Sequence, residues 1–205
     1  ILMAGYVSVP IYPTFNGEAL AYILAHSEAR ALFIGKLDDT ANLHTGVPAD
    51  LPLIALPLAP TVPALQWADL VKANAPLGGH PTAPGDQVST IIYTSGTTGQ
   101  PKGVMLTHAG LLQFGKVSAQ SRQLVPTDRS YAYLPMTHIF GLGTVLMASL
   151  HAGAGLLMRS QFDPADVFDA LAHQGLHQFA LAVAGDAGHA QDFTRVHLQA
   201  DTVQG

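Results

Sequence analysis

The chain has 205 residues, enough for one sizeable domain. Hydrophobic residues make up 48% of it and charged ones 11%, so most elements should be buried on more than one face, as in a layered α/β interior. A net charge of −5 with nine lysines and arginines argues against nucleic acid, which needs a concentrated basic surface, and zero cysteines exclude a disulfide framework or a thiolate metal site.

In chain order, Ile1 to Gly5 reads as the last turn of an apolar helix closed by a glycine cap, so the sequence is expected to begin inside a domain. No secretory leader is visible, and a cytoplasmic location is expected. Tyr6 to Tyr12 is β-rich, a helix opens near Asn16 with Leu20, Ile23 and Leu24 as its apolar stripe, and Ala29 to Ile34 is a short buried strand. This order is compatible with a parallel strand–helix–strand crossover. Residues 36 to 86 are rich in Pro and Gly, with a strand at Leu53 to Leu56 and a helix from Leu65 to Ala73. The stretch 76–87 reads as an exposed connection between subdomains.

From Val88 the pattern sharpens. Val88 to Tyr93 is a strand, Ser95 to Pro101 a polar loop, Gly103 to Leu106 a strand, and a helix begins around Thr107. A strand at Ser130 to Leu134, a helix from Phe140 to Leu150 and a strand near Leu156 follow. A helix from Asp163 to Ala172, with Pro164 in its first position, precedes a last strand at Gln178 to Val183. The apolar run from Ile139 to Met158 approaches the ~20 residues of a membrane span, but His151, Gly153 and Gly155 break it, so no span is expected. The alternation gives an α/β fold of layered, mostly parallel sheets with flanking helices. Residues 184–205 lose periodicity and read as an irregular tail.

The chemistry concentrates in Tyr93-Thr-Ser-Gly-Thr-Thr-Gly-Gln-Pro-Lys-Gly103. Glycines let backbone approach a phosphate closely, hydroxyls and N–H groups donate to its oxygens, and Lys102 adds the fixed charge. A plain hairpin turn needs no such run of hydroxyls. Nor is this a Walker A loop, since Pro101 precedes the lysine and a strand follows where that motif has a helix.

This segment, continued through Val-Met-Leu-Thr-His108, resembles the signature motif of the adenylate-forming superfamily, which includes acyl-CoA synthetases, luciferases of the firefly type and peptide-synthetase adenylation domains. Ala4-Gly-Tyr-Val-Ser-Val-Pro-Ile-Tyr-Pro-Thr14, Tyr22-Ile-Leu-Ala-His-Ser-Glu-Ala29 and Leu134-Pro-Met-Thr-His-Ile-Phe-Gly-Leu142 are similar to segments of the fatty-acyl branch. The resemblance implies that 1–183 is part of the large N-terminal domain of such an enzyme. It implies activation of a carboxylic acid, of the fatty class, by ATP as acyl-AMP, followed by transfer to coenzyme A, with Mg²⁺ assisting. Thr94, Ser95, Gly96, Thr97, Thr98, Gly99 and Lys102 would hold the β- and γ-phosphates, Lys102 and His138 would be catalytic, and His138, Phe140 and Gly141 would line the acid. Gly141, Gly143 and Met147 hint at room for an acyl group. No protein metal ligands are assigned, and His173 and His177 are not read as a metal pair.

The superfamily's adenine-stacking Tyr-Gly-x-Thr-Glu segment, its ribose-binding aspartate and its C-terminal lysine domain are not found in these residues. The chain alone is therefore expected to be an incomplete catalyst and, with apolar surface uncovered, to self-associate; peripheral membrane association stays open. Two other readings remain: an amino-acid adenylation domain loading a carrier protein, and a non-catalytic nucleotide-binding or interaction module.

Overall fold

The computed structural model describes residues 1–76, 78–79, 82–94, 100–160 and 162–173, without the side chains of 171–173. These residues divide into two compact units, one ending at His108 and the other beginning at Ala109.

In the first unit, Leu2–Ala4 forms a single 3₁₀ turn closed by Gly5 in the left-handed conformation. Helix α1 (Gly17–His26) starts where the Asn16 side chain accepts the Ala19 N–H at 2.9 Å, and it buries Leu20, Ile23 and Leu24. Helix α2 (Ala41–Gly46) packs against it backbone to backbone. A Cβ on Gly46 would stand 2.5 Å from the Gly17 carbonyl oxygen, so only glycine allows that approach. Strands β1 (Leu32–Ile34), β2 (Leu53–Ala55) and β3 (Leu65–Gln66) form a parallel sheet in that order. Helix α3 (Trp67–Ala73) follows β3 directly, so the helix predicted from Leu65 loses its first two residues to sheet pairing with Ile54 and Ala55.

A separate antiparallel pair joins β4 (Val88–Thr94) to β5 (Lys102–Thr107). Ser8 lies on the other side of β4, its N–H donating to the Ser89 carbonyl and its own carbonyl accepting from the Ile91 N–H, both at 2.9 Å. The strand predicted over Tyr6 to Tyr12 is thus a single parallel bridge at Ser8. It belongs beside β4, and β1 lies in another sheet, so the predicted crossover does not form. Pro10 and Pro13 supply no N–H for a longer ladder.

The second unit carries helix α4 (His108–Ser121) and the parallel pair β6 (Arg129–Ala132) and β7 (Gly155–Met158). Helix α6 (Pro164–His173) closes a small core in which Val167 and Ala170 meet Tyr131, with Tyr133 and Leu157 at its rim. Between β6 and β7, the predicted helix from Phe140 divides. Phe140–Met147 is a π-helix, and α5 (Ala148–Ala152) continues it to a left-handed Gly153. The wider turn coincides with close packing: a Cβ on Gly141 would collide with the Pro135 carbonyl, and one on Gly143 with the Phe114 ring. Among the described residues no helix is long and apolar enough to cross a membrane. The strand predicted at Gln178 to Val183, the tail 184–205 and His177 lie outside the described residues.

Candidate functional site

Strand β4 carries buried Ser89, Thr90, Ile92 and Tyr93 and then, one residue later, exposed Thr94. Its polar members are satisfied within the sheet. The Ser89 hydroxyl donates to the Leu106 carbonyl at 2.9 Å and that of Thr90 to the Ser8 carbonyl at 3.0 Å. The strand is therefore held on both edges from Ser89 to Ile91, and on the β5 edge alone from Ile92 to Thr94. There Thr94 pairs with Lys102, the first residue of β5, in an exposed last rung on either side of 95–101 in the sequence. Ser95, Gly96, Thr97, Thr98 and Gly99 lie outside the described residues. The strand–loop–strand frame without a helix at the lysine is the one read from the sequence; its antiparallel pairing is added by the structure.

One rung inward, Tyr93 faces Gly103. A Cβ on Gly103 would come within 2.8 Å of Ile91 Cγ2 and 3.2 Å of Tyr93 Cζ, so the absent side chain makes room for the ring. The tyrosine hydroxyl and His26 Nδ1, at the end of α1, share a hydrogen bond of 2.7 Å. Burial pushes the ionisation of Tyr93 above the ordinary phenol range, with Tyr22 adding to it, so the phenol stays neutral.

In the second unit, the turn after β6 presents His138. Its N–H donates to the Pro135 carbonyl at 3.0 Å, its carbonyl accepts from Leu142, and its ring stacks on Phe140 at 5.6 Å between centroids and 7° between planes. The Phe140 N–H donates to Nδ1 at 3.1 Å. Nδ1 therefore acts as an acceptor in this arrangement. His138 is half-buried, Phe140 exposed and Gly141 buried. The room for an acyl group anticipated at Gly141, Gly143 and Met147 is not on these faces. Pro135, Phe114 and Gly115 respectively fill the space beside them, because the π-helix packs directly on its neighbours.

Two features went unread in the sequence. Arg122, on the turn after α4, donates from Nε to the Ser118 carbonyl at 3.0 Å and from Nη2 to the Thr144 carbonyl inside the π-helix, and burial lowers its pKa. Its Nη1 and the Thr137 hydroxyl beside His138 in sequence are buried without a hydrogen-bond partner. The other is the His26–Tyr93 contact. Its only local signal is the Tyr22–His26 spacing of one helical turn, since the partner is 67 residues away.

Among the described residues no three acidic or histidine side chains converge as a metal site. Two shallow surface grooves, one beside Trp67 and one beside Glu28, contain none of the predicted site residues.

A family model described as "AMP-binding enzyme" matches residues 1–184. The chain is 31% identical over 157 residues to "Long chain acyl-CoA synthetase 7, peroxisomal" of Arabidopsis thaliana, covering 69% of this chain and 22% of that protein. It is 34% identical over 177 residues to the sulfoacetate–CoA ligase of Cupriavidus necator, covering 85% of this chain and 34% of the relative. The chain thus spans about a fifth to a third of the length of these relatives. The fold is similar to that of Mycobacterium smegmatis MbtA in its apo structure, with a TM-score of 0.75 at 24% identity, over 88% of this chain and 34% of that one.

Proposed function

Because the chain belongs to the family of AMP-binding enzymes, we propose that it forms the phosphate-gripping part of an ATP-dependent acid–CoA ligase. In that reaction a carboxylate oxygen attacks the α-phosphorus of ATP, the bond to the bridging oxygen breaks, and pyrophosphate leaves. The thiol of coenzyme A then attacks the acyl carbon, and AMP leaves with the former carboxylate oxygen. The observation that carries this reading is the exposed Thr94–Lys102 rung at the mouth of the β4–β5 hairpin. A hydroxyl and an ammonium there flank a loop of three hydroxyls and two glycines, a donor set suited to the charge that gathers on a leaving pyrophosphate.

In this reading Thr94 to Gly99 bind the β- and γ-phosphates and Lys102 neutralises them. His138 lines the carboxylate and α-phosphate region, and Phe140 holds its ring flat against itself. Mg²⁺ is required of the reaction, but no described residue is assigned to it.

The acid is assigned to the fatty class, supported by the likeness of 4–14 and 134–142 to fatty-acyl enzymes and by the name of the Arabidopsis relative. A second reading, a short polar acid, is favoured by the packed faces of Gly141 and Gly143 and by the sulfoacetate ligase, which matches a larger share of this chain. The experiment is hydroxylamine trapping of acyl-AMP with ATP and a panel of long-chain and short polar acids, on the protein at its native full length. Acyl-hydroxamate that depends on Lys102 supports the ligase; a Lys102→Ala variant with normal yield refutes the loop assignment. The chain length preferred in the panel decides between the two acids.

A further inference from the structure

We infer that His26 and Tyr93 together position the Thr94–Lys102 rung, which makes His26, on a helix remote in sequence from the loop, a positioning residue for ATP binding. The inference rests on the phosphate-loop reading above.

Tyr93 is the last buried residue of β4, 1% exposed, and its neighbour Thr94 already stands in solvent. A strand that ends in a glycine-rich loop has little of its own to stop its last rung from fraying. Here the penultimate residue is fixed at two points. Its ring lies over Gly103 on the partner strand, and its hydroxyl is tied to His26 Nδ1 at 2.7 Å, with the two rings edge to face at 5.8 Å. His26 is itself braced by Tyr22, one turn earlier on α1, stacked at 5.3 Å and 29°. A rigid aromatic satisfied at its polar tip transmits the position of α1 to the end of β4. The next rung is Thr94–Lys102.

A bland account exists: a buried phenol needs some partner, and His26 is at hand. The two accounts differ in what an exposed residue should do. His26 is exposed, so its loss should scarcely affect the core. If it only satisfies the phenol, water can replace it and ATP binding stays unchanged.

The test uses the protein at its native full length. The dissociation constant of a non-hydrolysable ATP analogue is measured by calorimetry, alongside KM and kcat from acyl-hydroxamate formation. His26→Ala and Tyr93→Phe should each weaken analogue binding about 3- to 10-fold, the worth of one hydrogen bond. KM for ATP should rise by a similar factor with kcat and the KM for the acid little changed. The double variant should be no worse than either single one, and His26→Asn, whose amide reaches the place of Nδ1, should restore binding. Unchanged binding in both single variants, additive losses, or no rescue by asparagine would each overturn the inference. If His26→Ala fails to fold, Tyr93→Phe, which keeps the ring, decides alone. Lys102→Ala is the control: if it too binds normally, the phosphate-loop reading has failed, whereas a loss confined to Lys102→Ala refutes the positioning role only.

Discussion

Replacing Gly103 by alanine tests the geometry on which the hairpin depends. The new methyl would lie 2.8 Å from Ile91 Cγ2 and 3.2 Å from Tyr93 Cζ, against the ~3.5–4.0 Å at which carbons rest. Something must move by about half an ångström or more. The phenol ring cannot pivot away without lengthening its 2.7 Å bond to His26, and Ile91 is held in the ladder opposite Met105. Overpacking of this kind costs about 1–3 kcal/mol, and a lost hydrogen bond about 0.5–1.5 kcal/mol more. Against that, alanine is better than glycine within a strand by about 0.5–1 kcal/mol. The net expectation is a destabilisation of about 0.5–4 kcal/mol. At about 2–4 °C per kcal/mol for a chain of this size, the melting temperature falls by about 1–16 °C in a calorimetric scan. The variant should also weaken binding of the ATP analogue, because the disturbed ring abuts the Thr94–Lys102 rung. A Gly103→Ala protein that melts at or above the wild-type temperature would refute the ring-on-glycine arrangement.

Gly46→Ala should lower urea stability by about 1–3 kcal/mol, because its Cβ would meet backbone of α1 at 2.5 Å, which cannot yield as a side chain can. Ser149→Ala should cost about 1–3 kcal/mol in the same assay by orphaning the buried Ser130 hydroxyl, now 3.0 Å from its partner, and the Ser130→Ala, Ser149→Ala pair should recover much of the loss. Asp166 accepts from Arg159 and from the Tyr131 hydroxyl, both at 2.6 Å, and these hold its carboxyl below the ordinary carboxylate range, Arg159 more than Tyr131. A lowered folded pKa contributes stability that is present above the unfolded value of about 3.9 and is lost as the pH falls through the folded one. Acid unfolding followed by circular dichroism should therefore be flatter below about pH 4 in Asp166→Asn than in the wild type.

Much of this molecule is legible residue by residue. The apolar stripe of α1, its Asn16 cap, the two strands around the hydroxyl-rich loop and Pro164 at the start of α6 all follow from short-range preferences, and each forms where those preferences place it. The loop's glycines, hydroxyls and lysine suggested a phosphate-binding segment, and it was the resemblance of 93–108 to a known signature that pointed to the family.

Pairing was settled only by tertiary contact. Nothing within Tyr6 to Tyr12 tells the chain to meet β4 at Ser8 while β1 joins β2, since a strand's edge offers the same N–H and C=O groups to any partner. Gly141 and Gly143 read as space and turned out to be contact surfaces, because what a missing Cβ makes room for depends on residues far along the chain. The widening of 140–147 into a π-helix and the bond from His26 to Tyr93, 67 residues apart, belong to the same class. Composition and spacing determined which residue types stand where along the chain. Packing decided which of them meet, because a contact depends on two separated segments whose meeting neither one encodes alone.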